Sequence, residues 1–575
     1  MPDSISIALL GNCTTEFIGF ALQDRCRQNE LEPKIYNSPF NQYNQQILNP
    51  ESGLYTANPD LIILLLEGEQ LFPEWYNLKT LQANKEEKES MIDAIHKQIV
   101  DIIEFLHSHI SSRIIINNFR VPYHSPLGIL DNKSDPGLKR MITMMNLRLE
   151  EWSAAHEYVN VFDYNGLCAH MGNMKAMDKK LFYSTGNPMS IPFTQLLAQE
   201  YIRYILAIKS RTKKCLVLDL DNTLWGGICA EDGISGIKLD LKGPGRSFYD
   251  FQKELLNLYG KGVLLAVNSK NNREDALDII ENHPYMLLRS RHFSAMRINW
   301  QDKVRNLKEI ANELNIGLDS MVFFDDSPME RDYVKTVLPC VTVVDVPEDT
   351  VKYSDTLRSL AIFESFGITT EDIKRSELYE LNKKRNDSKV QFDSLEAYLI
   401  SLETKITVEY ANEFTIPRIV QLLQKTNQFN VTTIRYCRQE IENMAASDKY
   451  HILQCSSSDK FGDSGMVGVC IAVVENGEAL IDSFLLSCRA LGRNIEQAFL
   501  NAVVSILRQK GISCIYSKFI KTEKNQANVN FYPGAGFIKV SDKGNETLFI
   551  LPEQTELKQL SHISTTIILQ EGNNG

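Results

Sequence analysis

Two apolar runs suited to the centre of a parallel sheet each end in acidic residues, and this pairing constrains the fold more than any other feature of the chain. In KCLVLDLDNTLWGG, residues Cys215 to Leu218 are short, apolar and β-branched enough for a buried strand, and Asp219 and Asp221 follow at once. SMVFFDDSP repeats the device with Asp325 and Asp326. An unpaired carboxylate inside such a strand costs on the order of several kcal/mol, so the acids belong at the strands' carboxyl ends. That is the edge where open α/β sheets bind ligands. Carboxylates gathered there repel one another unless a cation lies between them. Hard oxygen donors suit Mg²⁺, and Mg²⁺ in turn suits a phosphate. A third strand, GVLLAVNSKNN, ends in Ser269, whose hydroxyl and neighbouring amides can hold phosphate oxygens, and Lys303 opens the following helix with a positive charge. Singly these are weak signs, because a DxD after a strand is often a helix cap and a lone lysine is usually solvated. In this order they supply a nucleophile, an acid/base, a phosphate grip and a metal site.

At 575 residues the chain is long enough for three domains. Strands and helices alternate over 1–208 as in a doubly wound α/β domain, beginning with ISIALLG, PDLIILLLEG and RIIINNF. A second α/β domain spans 211–375, and a charged helical linker covers 376–403. A third, α+β domain runs over 404–552, with a polar, frayed tail at 553–575. The net charge of −12 leaves no basic footprint for nucleic acid. The start MPDSISIALLGNC lacks the basic residues and cleavage site of a signal peptide, and LIILLL (61–66) is too short to cross a bilayer. Eleven scattered cysteines without a CxxC pair argue against a disulfide framework or zinc site and fit a reducing compartment. The expectation is a cytoplasmic protein with no membrane and no nucleic-acid partner.

The order DxDxT, Ser, Lys, DD resembles the haloacid dehalogenase (HAD) superfamily of aspartyl-phosphate phosphatases and phosphotransferases. More narrowly, KCLVLDLDNTLWGG, SKNN and FFDDSP resemble the FkbH-like family, which loads glyceryl units from 1,3-bisphosphoglycerate onto acyl carrier proteins in polyketide and related pathways. The resemblance implies a HAD-like Rossmannoid core between an SGNH-like and a GNAT-like domain, with Mg²⁺ as cofactor. Asp219 would be nucleophile and metal ligand, and Asp221 the acid/base that also offers its backbone carbonyl to the metal. Thr223 and Ser269 would position the phosphoryl group, Lys303 would neutralise it, and Asp325 with Asp326 would complete the metal site. Relatives often carry a cysteine just before the Ser-Lys pair, where this chain has Asn268; Cys229 is a candidate substitute. Neither the stretch Trp225–Gly245 nor Ser269–Lys303 can hold a cap domain, so at most a β-hairpin flap covers the site and a carrier-bound substrate can reach it.

The third domain contains LLSCRALGRNIEQAFL, similar to the pyrophosphate-binding turn of GNAT acyltransferases, and NFYPGAGF further on. Coenzyme A and carrier proteins share a phosphopantetheine arm, so Arg489, Gly492 and Arg493 are candidate arm-binding residues. KTNQFN (425–430) recurs in FkbH-like chains. In the first domain LLGNCTTEF looks like an SGNH-hydrolase start with Cys13 or Thr14 in the serine position. No DxxH follows, the nearest pair, Asp163 and His170, being too far apart, and Asn117 and Asn118 either mark the family's Asn block or cap a strand, which points to a structural or docking role with an esterase as the alternative. The leading expectation is a Mg²⁺-dependent HAD enzyme acting on a phosphorylated small-molecule donor and charging an acyl carrier protein. The alternatives are a free-standing phosphatase and a non-catalytic carrier-binding scaffold.

Overall fold

The computed structural model describes residues 3–369, 372, 375–389, 392–522 and 524–569. The chain divides into two compact units, Met1–Lys209 and Ser210–Gly575. In the first, the strands β1 (Asp3–Gly11), β2 (Leu31–Asn37), β3 (Leu61–Leu65), β4 (Arg113–Asn117) and β5 (Val159–Phe162) form a parallel sheet in the order β2-β1-β3-β4-β5. This is a doubly wound order. β3 is aliphatic throughout because both its faces are covered; each of its residues is buried. The long helix Lys85–His109 starts at a capping box in which Asn84 and Glu87 satisfy each other's backbone N–H groups.

The second unit opens with another parallel sheet: β6 (Cys215–Leu218), β7 (Leu264–Ser269), β8 (Phe293–Ile298), β9 (Met321–Phe324) and β10 (Thr342–Val343), ordered β10-β9-β6-β7-β8. β6 sits in the middle, paired with β7 and β9. A larger sheet follows, of β11 (Thr404–Tyr410), β12 (Tyr450–Asp459), β13 (Gly462–Glu475), β14 (Glu478–Leu486), β15 (Cys514–Ile520), β16 (Ile538–Lys543), β17 (Glu546–Leu551) and β18 (Ile563–Ile568), ordered β16-β17-β15-β14-β13-β12-β11-β18. Most neighbours are antiparallel, as an α+β reading requires; β14 with β15 and β11 with β18 are parallel. β18 corrects the expectation of a frayed tail: ISTTII is β-branched, and it pairs over Thr404–Glu409 as an edge strand.

The two sheets of this unit are held together by the charged stretch read as a linker. Its helix Arg375–Lys389 places Tyr379 among Val217, Phe323 and Leu307 behind the first sheet. One turn and a half later, Arg385 donates from Nε and Nη2 to the two oxygens of Asp459 on β12, at 2.7 and 2.9 Å. Arg493 donates to the same carboxylate at 2.8 Å. All three side chains are almost fully buried. Removing one member of a buried ion pair leaves uncompensated charge, so Asp459→Ala should destabilise the second unit by about 3–5 kcal/mol. Urea unfolding of the full chain, followed by circular dichroism, checks this; a loss below about 1 kcal/mol would mean that the guanidiniums find other partners.

Candidate active site

Asp219 and Asp325 become neighbours through strand register. Leu218 pairs with Phe324 across the parallel strands β6 and β9, so the next residue of each strand leaves the sheet beside the other. The Asp219 N–H donates to the Phe324 carbonyl and anchors that exit. β7 ends on the other side of β6 and delivers Ser269 to the same edge. The helix Lys303–Glu313, capped by Asp302 on the Val304 N–H, points Lys303 into the space between. Its Nζ lies 2.5 Å from Asp325 Oδ2, as a hydrogen bond, and 3.1 Å from Asp219 Oδ1, as an ionic contact. Phe324 packs on Phe251 and Tyr353 beneath the exit, at ring separations of 4.8 and 5.4 Å.

The electrostatics follow from burial. Lys303 is buried, which works against its charge, yet Asp219 and Asp325 outweigh that and hold the ammonium above its ordinary range. Burial, and after it the Asp219 charge, push the Asp325 carboxyl up to about 7 and that of Asp326 to about 6, with Lys303 opposing. One lysine is therefore too little cation for three acids. Oxygens of Asp219, Asp325 and Asp326 lie within 4.8 Å of one another, a donor set that fits a hard divalent ion. Thr223 Oγ1 is buried with no hydrogen-bond partner among the described residues, which suits a phosphate oxygen.

The Asp221 carboxylate lies outside that cluster. Trp225 Nε1 and the Cys229 N–H donate to Oδ1 at 2.9 and 3.1 Å, and Asn271 Nδ2 donates to Oδ2 at 3.0 Å. Burial raises its pKa while these donors lower it. Asn271 also donates to Ser269 Oγ at 3.2 Å, so one buried amide ties Ser269 to Asp221. Trp225 and Asn271 were missed by sequence reasoning as site residues. The signal lay in SKNN, where Ser269 and Asn271 alternate at a strand end and so share a face.

Asn268 faces away from this crevice. Its Nδ2 donates to the Lys303 carbonyl at 2.9 Å and its Oδ1 accepts from Asn306 at 3.0 Å, a fully buried amide ladder that fixes the start of the lysine helix. Cys229 is also buried, and burial followed by Asp221 pushes its thiol up to about 11. Neither supplies a ready thiolate. The flap differs from a hairpin of strands: a single antiparallel bridge, Gly226 to Lys238, closes it, and it carries a short helix, Cys229–Gly236. The Gly233 kink inside that helix has φ 59°, which glycine tolerates.

The other candidate residues are placed differently. Cys13 is buried at the carboxyl edge of the first unit's sheet, where burial and then Glu67 hold its thiol well above its ordinary value. Asn117 donates to the Leu66 carbonyl at 2.9 Å and Asn118 to Asp163 at 2.8 Å, so both tie loops together. Asp163 is bonded to Asn118 and to the Gly166 N–H, with no histidine among these contacts. In the third portion Gly492 adopts φ 77°, and Arg493 is turned inward onto Asp459 rather than outward toward a phosphate; burial, then Arg385, lower its pKa to about 10. The Arg489 side chain lies outside the described residues. No helix among the described residues is long and apolar enough to cross a membrane.

Residues 6–206 match the FkbH N-terminal domain family. Among solved structures, the chain is similar to the N-terminal part of BF1531 from Bacteroides fragilis, which contains a phosphatase domain and was solved with Mg. That match has 29% identity, a TM-score of 0.58, and covers 64% of this chain and 95% of that one. Two N-acetyltransferases, the ribosomal-protein-S18-alanine enzyme of Escherichia coli and PaiA of Thermoplasma acidophilum in complex with coenzyme A, match at 13% and 14% identity with TM-scores of 0.22; they cover 27% and 26% of this chain and 98% of their own. No curated protein matches.

The raised carboxyls make stability depend on pH and metal together. A carboxyl with a higher pKa folded than unfolded holds its proton more tightly when folded. In metal-free protein the contribution of these two groups to stability should therefore be full below the ordinary value of 3.8 and be lost as pH rises through about 6 and 7. A divalent ion relieves the repulsion only once the acids are ionised. Melting temperatures in chelator and in Mg²⁺, at pH 5 and pH 8, should show a small metal-dependent gain at pH 5 and a larger one at pH 8, about 2.7 kcal/mol at one hundred times Kd. Equal gains at both pH values would count against the cluster as the binding site.

Proposed function

From a chain that joins an FkbH N-terminal domain to a HAD-type phosphatase domain, we propose a Mg²⁺-dependent enzyme that removes phosphate from a phosphorylated three-carbon acyl donor and passes the acyl unit to an acyl carrier protein. The observation that carries the phosphatase chemistry is the constellation of buried Asp219, Asp325 and Lys303 with half-buried Asp326 at one sheet edge, with Asp221 beside it. Asp219, Asp325 and Asp326 would hold the Mg²⁺, with the Asp221 carbonyl by resemblance. The ion would neutralise phosphate oxygens and fix the phosphorus in line with the nucleophile.

An Asp219 oxygen attacks the phosphorus of the donor's phosphate ester, the bond from phosphorus to the ester oxygen breaks, and Asp221 gives its proton to that leaving alcohol oxygen. Water then attacks the aspartyl phosphate, Asp221 takes the water's proton, and Asp219 and inorganic phosphate are released. Lys303 balances the negative charge throughout, and Thr223 and Ser269 orient the phosphoryl oxygens. The positioned donors Trp225, Cys229 N–H and Asn271 keep Asp221 aimed without neutralising it.

The donor, 1,3-bisphosphoglycerate by resemblance, and the acyl carrier protein as acceptor belong to this reading. The cap-free crevice supports it, because a thiol on a long arm can reach an open site. With Asn268 in its amide ladder and the Cys229 thiol raised, the reading takes the carrier's own thiol as direct acceptor at the donor's separate acyl phosphate: the thiol loses its proton as sulfur bonds to the acyl carbon, the bond from that carbon to the phosphate oxygen breaks, and inorganic phosphate leaves. The absence of an available thiolate at those two positions also favours the second reading, a phosphatase with no acyl step. A purely scaffolding role is disfavoured by a site whose every polar position is filled.

Asp219→Asn keeps the side chain's shape but not its nucleophilicity, so phosphate release should fall at least about 10³-fold with an unchanged circular-dichroism spectrum. Release at the wild-type rate would remove Asp219 from the nucleophile's role. Asn271→Ala should lower kcat by roughly 10- to 100-fold, the value of a hydrogen bond to a charged group, with KM changed far less. Intact-mass measurement of a holo acyl carrier protein, beside a phosphate assay on the same sample, separates the two readings: a hydroxylamine-labile glyceryl adduct supports acyl transfer, and phosphate release with an unmodified carrier supports the phosphatase alone.

A further inference from the structure

In the third portion β14 and β15 run parallel and pair only over Glu478–Ile481 and Cys514–Ser517. Beyond that vertex β14 continues to Leu486 and β15 to Ile520, so the strands part and each bares a row of backbone N–H and C=O groups. Such a split suits an extended, amide-bearing arm, which would pair with the exposed edge as an added strand does. It lies next to the RALGR turn, the feature that pointed to a pantetheine thioester.

The split is already filled. Val431 N–H donates to the Phe484 carbonyl at 3.1 Å, Leu486 N–H to the Phe429 carbonyl at 2.9 Å, and Ile520 N–H to the Val431 carbonyl at 2.8 Å. Asn430 and Leu485 form an antiparallel bridge. One three-residue segment thus satisfies the facing edges of both strands, and these are the last residues of KTNQFN and the one after it. Asn525, fully buried, locks the segment by donating to the Asn430 and Ile520 carbonyls at 2.9 Å each. Phe429 packs edge-on to Phe531 with ring centroids 5.0 Å apart, and Phe531 stacks on Phe484 at 5.3 Å. Opening the split would unpair three buried backbone bonds and expose this aromatic cluster.

The turn is engaged as well. The Cys488 carbonyl accepts from Asn315 of the first sheet's layer at 2.5 Å, and Cys488 Sγ lies 3.8 Å from the Tyr379 hydroxyl of the charged helix. Lys524 and Asp319 make a further ion pair across the same layers at 2.7 Å. Arg493 is bound to Asp459.

We infer that this portion takes no pantetheine thioester in its strand split, and that Phe429–Val431 is a built-in strand which turns a transferase-like frame into a support for the catalytic layer. An arm that brings a thiol to this enzyme then does so at the crevice above β6 and β7. The inference rests on contacts remote from Asp219, so it stands or falls separately from the phosphatase reading.

Hydrogen exchange on the full-length protein, with and without millimolar acetyl-coenzyme A, tests it beside calorimetric titration of the same ligand. The Val431, Leu486 and Ile520 amides should exchange as slowly as the β13–β14 ladder and should not respond to the ligand. Exchange more than about 100-fold faster than that ladder, or a saturable ligand effect on these three amides, would overturn the inference. Binding that leaves all three unchanged would place the nucleotide outside the split and uphold it. Repeating the exchange with a holo acyl carrier protein applies the same criterion to the arm on its natural support.

Discussion

A single ammonium group, Lys303 Nζ, stands between the two carboxylates that leave adjacent strand ends. The register of β6 against β9 forces Asp219 and Asp325 together, and burial makes their repulsion expensive. The lysine lowers the carboxyls of Asp325 and Asp326, but burial first and the Asp219 charge second still hold both above their ordinary value. A site left short of positive charge attracts a cation. That shortage of positive charge is thus built into the strand register.

The surroundings protect this arrangement. The Asn268–Asn306 ladder fixes the first turn of the lysine helix from behind, and Phe324 with Phe251 and Tyr353 forms a rigid floor. Asn271 links Ser269 to Asp221 from the side. Buried amides suit this work because they pair through both N–H and C=O and carry no charge that would compete with the acids. The charged helix Arg375–Lys389 ties the catalytic layer to the larger sheet, contributing a tyrosine to one and an arginine to the other. The larger sheet can then act as a fixed buttress.

Much of the catalytic crevice was legible beforehand because its parts are local. A buried strand that ends in an acid announces its own geometry: the apolar run fixes what is inside, and the charge fixes where the strand must stop. The α/β alternation of the first unit and the parallel order around β6 follow from the same logic. The strand at Ile563–Ile568 was hidden in a polar tail, because ISTTII gains its pairing only from Thr404–Glu409, some 150 residues earlier, roughly the length of a domain. Asn271 and Trp225 were quoted as parts of motifs without roles, since only the folded loop shows which atoms reach Asp221.

The sequence by itself determined the acids, the serine and the lysine, their order, and the absence of room for a cap, because each depends on composition within a strand and the few residues after it. The tertiary structure alone decided what each polar side chain does with its hydrogen-bonding capacity. Asn268 became part of a ladder, Cys229 a buried thiol with a useful backbone N–H, and Arg493 one of two arginines on Asp459. It also decided that Phe429–Val431 fills the gap between β14 and β15. These outcomes depend on partners far apart in the chain, and a residue's neighbours in sequence carry no record of which distant group will satisfy it.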